Sequence, residues 1–145
     1  MNEALNWKHL DFSRDDDAHW IRNESGVPDI IADAMLDMDS RPRTLQTADG
    51  LLVILRGVNL NPGSDIEDMI SVRVWIEDNR VISTSRRQLA SINEIQAAIA
   101  AGKGPQSTGE FLIALVERLS DFITEAIEKL EDDLDAVSYT HLRAH

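Results

Sequence analysis

The stretch from Thr108 to Val137 admits one regular conformation. Leu112, Leu115, Leu119, Phe122, Ala126, Leu130 and Leu134 recur every three or four residues, which is one face of a helix. Val116, Ile123, Ile127 and Val137 make a second apolar row beside it. The stripe is therefore wider than a single neighbour requires. No Gly or Pro interrupts the run after Glu110, and Ser107 or Thr108 stands before Glu110 at capping-box spacing. At ~1.5 Å per residue this helix reaches roughly 45 Å, the width of a small domain or more.

Its other face is acidic. Between Glu110 and Asp135 nine acids face only Arg118 and Lys129, a net charge of −7 on one element. Asp121, Glu125, Glu128, Asp132 and Asp135 are the candidate metal-attracting carboxylates. Two readings follow. Either the acids are the solvated side of a packing helix, or they line a route for cations. The wide stripe must be buried against its own domain, against copies of itself, or both.

Composition narrows the classes. The 145 residues, 43% hydrophobic, suffice for one globular domain with a real core. No cysteine is present, so disulfides, thiolate zinc sites and cysteine nucleophiles are excluded. A net charge of −12 argues against nucleic acid and suits a protein that attracts cations. No apolar run reaches the ~18 residues of a membrane span. The polar, acidic start reads as neither signal nor transit peptide. Residues 41–87 hold six acids and seven arginines, a near-neutral middle between acidic ends.

The remaining elements read in order. Ala4 to Leu10 suits a strand, with Leu5, Trp7 and His9 on alternate positions. Asp15, Asp16 and Asp17 open a short helix to about Asn23, where the helix dipole favours negative charge. Pro28 begins another, with Ile30, Ile31, Ala34, Met35 and Met38 as its apolar face. Thr44 to Ala48, Asp49-Gly50, then Leu51 to Val58 reads as a hairpin whose second strand is central and covered on both faces. Ile70 to Ile76 and Val81 to Ser85 form a second hairpin around Asp78-Asn79. Leu89, Ile92, Ile95 and Ile99 mark a helix with a possible capping box from Ser91 to Glu94. The fold class is α+β: a mixed, largely antiparallel sheet flanked by helices, with a long C-terminal stalk helix. Residues 1–106 form the domain and residues 107–137 the stalk packing on it. Residues 138–145 abandon the acidic pattern and read as a non-native tail.

No catalytic constellation stands out, and the expectation is a protein that is not an enzyme. His9 and His19 sit in separate elements and read as structural or surface histidines. His141 and His145 have i, i+4 spacing, but two ligands make a weak site. Asp65, Glu67 and Asp68 lack the spacing of a calcium loop and read as a solvated loop. The arginines between Arg41 and Arg87 read as partners of neighbouring acids or as an anion site, with pairing favoured.

Several segments then carry a resemblance: Trp7-Lys8-His9-Leu10-Asp11, Arg41-Pro42-Arg43, Leu51 to Gly63 and Glu67 to Trp75. Together they resemble the soluble N-terminal domain of the CorA-like divalent metal transporters, nearest to the zinc-transporting ZntB branch. The resemblance spans nearly all of Trp7 to Val137, in order. It implies a cytoplasmic funnel domain on the inner membrane, assembled as a homopentamer, with the long helix descending toward the bilayer. It implies Zn2+ or another divalent cation as the transported or regulatory ion, no organic cofactor and no nucleic acid partner. The family's two membrane helices and its Gly-Met-Asn pore signature follow the matched region, so no selectivity residue falls on this sequence. The alternative is a stand-alone acidic binding or scaffold module of the same fold, without transport.

Overall fold

The structure is a computed structural model that describes residues 5–38, 41–63 and 69–143, with side chains described as far as residue 136. Five strands, β1 (Asn6–Asp11), β2 (Arg43–Gln46), β3 (Leu51–Gly57), β4 (Ile70–Ile76) and β5 (Arg80–Ser85), make one sheet in the order β1-β5-β4-β3-β2. β2, β3, β4 and β5 pair antiparallel with their sequence neighbours, while β1 joins β5 in parallel. The sheet is thus mixed and largely antiparallel, as the two hairpins imply.

Helices cover both faces. α1 (Asp15–Asn23) and α2 (Asp29–Leu36) lie on one side. Ile21, Ile31 and Met35 pack there against Leu52, Ile54, Trp75 and Ile82. α3 (Ala90–Ala100) and α4 (Thr108–Arg143) lie on the other. Ile92, Ile95, Phe111, Leu115 and Leu119 pack there against Val72, Val74 and Val81. This two-sided burial explains the unbroken apolar run of β3, since Leu52 and Ile54 serve one core while Leu55 serves the other.

Local details refine several expectations. Gln46 pairs with Leu51, and the Thr47 N–H donates to the Gly50 carbonyl, so the first hairpin turns at Ala48-Asp49 instead of Asp49-Gly50. Gly50 is needed for space: a Cβ there would press into the carbonyl oxygen of Ile76 and the ring of Trp75. The second hairpin turns at Asp78-Asn79 as expected, with Glu77 N–H bonded to the Arg80 carbonyl. In α2, Ile31, Ala32, Ala34 and Met35 are buried, whereas Ile30 and Met38 are exposed. α3 has no side-chain cap; its N-cap is Leu89, and Ser91 is buried inside the helix without a hydrogen-bond partner. Asp65, Glu67 and Asp68 lie outside the described residues.

Candidate functional site

Two charged features of this fold have chemical potential: the acidic outer part of α4 and a polar seam along β1 and β5.

α4 begins with a side-chain cap. The Ser107 hydroxyl accepts the Glu110 N–H at 3.1 Å, and the Glu110 carboxylate accepts the Gln106 N–H at 2.7 Å. One amide left orphaned by the helix start is thereby satisfied, and the Gln106 amide just before the cap is tied to the first turn. The helix then crosses the sheet. Phe111 meets Trp7 of β1, and Leu119 packs where a Cβ on Gly57, at the end of β3, would stand. Arg118 pairs with Glu94 of α3 at 3.5 Å. The face that enters the core is Phe111, Leu115 and Leu119, with Ala114 beside it. Phe111 belongs to neither row read from the sequence, and Leu112 is only half-buried.

Beyond Ala126 every described side chain of α4 is exposed. Ile127, Leu130 and Leu134 are 50%, 44% and 65% exposed, so the apolar stripe continues after the domain has ended. Val116 and Ile113 extend the same open row backward along the helix. The helix itself continues to Arg143, across the segment that composition sets apart.

The five candidate carboxylates, Asp121, Glu125, Glu128, Asp132 and Asp135, are all exposed on this helix. Their spacing alternates four and three residues, which puts them on one face. At ~100° per residue that face points away from the stripe formed by Ile123, Ile127, Leu130 and Leu134. Among the described residues, no three or more His, Asp or Glu side chains converge to hold a metal ion. A single copy therefore presents a row of charge instead of a coordination shell.

The polar seam centres on His9. Trp7 Nε1 donates to Ser83 Oγ at 2.8 Å, and the Ser85 hydroxyl donates to the Arg87 carbonyl at 2.8 Å. Ser85 Oγ, having given its proton, accepts from His9 Nε2 at 3.1 Å. His9 Nδ1, at 2.7 Å from Ser83 Oγ, then accepts the Ser83 proton. The chain of donors fixes a neutral imidazole protonated on Nε2. Burial lowers its pKa from 6.5 to about 4, against the pull of the Asp11 and Asp17 carboxylates. His9 is a satisfied structural histidine. His19 is exposed on α1, near Asn23. The side chain of His141 and all of His145 lie outside the described set.

The model of the family described as CorA-like Mg2+ transporter protein matches residues 2–144. A curated relative, the divalent cation transporter CmaX of Pseudomonas aeruginosa, is 39% identical over 138 residues, 94% of this chain and 42% of its own length. The structure of full-length CmaX superposes with a TM-score of 0.87 at 39% identity, covering 91% of this chain and 41% of that one. The crystal structure of the ZntB cytoplasmic domain from Vibrio parahaemolyticus gives a TM-score of 0.83 at 32% identity, over 89% of this chain and 53% of that one. The chain spans about two fifths of the length of the curated relatives it matches. Among the described residues no helix is long and apolar enough to cross a membrane.

Proposed function

Because this chain belongs to the CorA-like family of metal ion transporter proteins, we propose that it is the cytoplasmic domain of a divalent cation transporter of ZntB type. Its role is to concentrate or sense Zn2+ near the entrance of a pore carried elsewhere in the protein. The observation that carries the reading is the match in fold and sequence to the ZntB cytoplasmic domain, over nine tenths of the chain.

The acidic arm gives that reading a mechanism. Asp121, Glu125, Glu128, Asp132 and Asp135 stand in one exposed row. Five copies arranged as a funnel would face such rows toward one another and raise the local cation concentration. The effect is screened beyond ~8 Å at physiological ionic strength. Zn2+ takes about four ligands, and one row does not supply them, so a full shell needs carboxylates from neighbouring copies. Metal binding and assembly are then one equilibrium.

Light scattering on the 145-residue chain, with and without Zn2+, tests this. The expected result is a larger assembly with Zn2+. Changing all five acids to their amides is expected to abolish the metal dependence while leaving the melting temperature within about 2 °C, since exposed sites contribute little. Mass unaffected by Zn2+ in either protein defeats the metal-linked assembly. A gene that encodes no apolar spans after this region defeats the transporter reading itself.

A further inference from the structure

Within a chain of net charge −12, one cleft has only basic groups as its charged lining among the described residues. It lies at the end of the sheet where β1, β3 and β5 finish and β4 begins. Arg73, Arg86 and Arg87 enter it with Phe12, Asn59 and Ser71. Its volume of about 340 Å³ is at the lower end of the ~300–1,000 Å³ of small-molecule sites. That is room for a small molecule.

The three arginines are placed by different means. Arg73 points from the middle of β4, buried, with Nη1 donating to the Met35 carbonyl at 2.8 Å and the guanidinium 4.3 Å over the Phe12 ring. Arg86 and Arg87 follow directly on β5. In a continuing strand they would point to opposite faces. Because β5 ends at Ser85, both reach the same cleft. Arg87 is anchored through its carbonyl by the Ser85 hydroxyl, itself held by His9. The exposed pair makes no ion pair with any described residue. Asp11, beside Phe12, is already engaged by the N–H and hydroxyl of Ser13.

We propose that this cleft binds a phosphate group, free or as a small phosphomonoester. Guanidinium forks suit an acceptor with several oxygens and more than one negative charge. One carboxylate would answer only one of the two exposed guanidinium charges, Arg86 and Arg87. Asn59 and Ser71 add polar lining, while Phe12, Met38 and Met69 give an apolar wall on which the organic part of an ester rests. The acids of the distant arm are screened from the cleft at physiological salt. The site is independent of the transporter reading, because it uses no residue of α4.

Calorimetric titration of the 145-residue chain tests it, at fixed ionic strength, with inorganic phosphate and with glycerol phosphate as probes. Saturable binding of phosphate at one site per chain is expected. The double substitution Arg86→Glu and Arg87→Glu, both exposed, should weaken it about tenfold or more. Arg22→Glu, on α1 and paired with Asp33, should leave it unchanged and controls for total charge. Tighter binding of glycerol phosphate supports an ester as ligand; equal binding supports the free anion. No saturable binding, or equal weakening by Arg22→Glu, overturns the proposal.

Discussion

The rings of Trp7 and Phe111 meet with centroids 4.6 Å apart and planes tilted by 51°. One ring belongs to the first strand and the other to the first turn of the last helix, so this contact ties the two ends of the domain together. Phe111 is fully buried, and its truncation to Ala is expected to cost ~3–5 kcal/mol. A double-mutant cycle with Trp7→Phe should return a coupling of ~0.5–1.5 kcal/mol by urea denaturation. A coupling near zero would reduce the pair to ordinary burial.

Acid should weaken the domain in two separate windows. Folded His9 stays neutral to about pH 4, whereas the unfolded residue takes its proton near 6.5. The unfolded state thus binds more protons between those values, and stability falls as pH drops through them, by at most ~3 kcal/mol. His9→Gln should flatten the curve there. Glu77 acts lower. Hydrogen bonds from Arg80 hold its carboxyl below 4.5, helped by Trp75 Nε1 and opposed by partial burial. Its contribution is present above 4.5 and is lost as pH falls through the lower folded value. Urea titrations at half-unit pH steps, on wild type and His9→Gln, separate the two.

Two glycines should rank in a definite order. An added Cβ at Gly57 meets the tips of Leu119 and Leu89 at 2.7 and 2.8 Å, and those side chains can shift. Gly57→Ala is expected to cost ~1–3 kcal/mol, as overpacking does. At Gly50 the obstacle is the backbone carbonyl of Ile76 and a buried indole, which cannot yield in the same way. Gly50→Ala should be the more damaging, read as the lower midpoint in urea.

The start of α4 offers a milder test. Ser107→Ala removes the acceptor of the Glu110 N–H and should cost ~1 kcal/mol. A loss within error would mean that packing of Phe111 and Leu115 holds the first turn unaided.

The hairpins, the buried third strand and the long helix were legible because each follows from local periodicity and turn residues. The inward face of α4 was not. Its stripe covers well over 100°, and period alone does not say which half faces the parent domain. The sequence offered no break to find it by: Phe111, Leu115 and Leu119 run on at the same spacing into Ile123 and Ile127, and only the end of the domain stops their burial. Ser91 was misread as a cap because the spacing to Glu94 is right, but the helix starts one residue earlier and carries that hydroxyl inside. The arginine cleft was invisible for another reason. Arg73, Arg86 and Arg87 meet only after β4 and β5 are paired. The five acids of the arm were readable as a row, since helical spacing is local.

The parallel edge strand has one more consequence, for biosynthesis. Asn6 leaves the ribosome well before its register partner, Arg80. Until β5 has emerged, Trp7 and His9 have no serine hydroxyls to bind, and β1 waits without its pairing partner. Translation order and assembly order are therefore opposed at this edge, and until β5 is made β1 is open to chaperones and proteases.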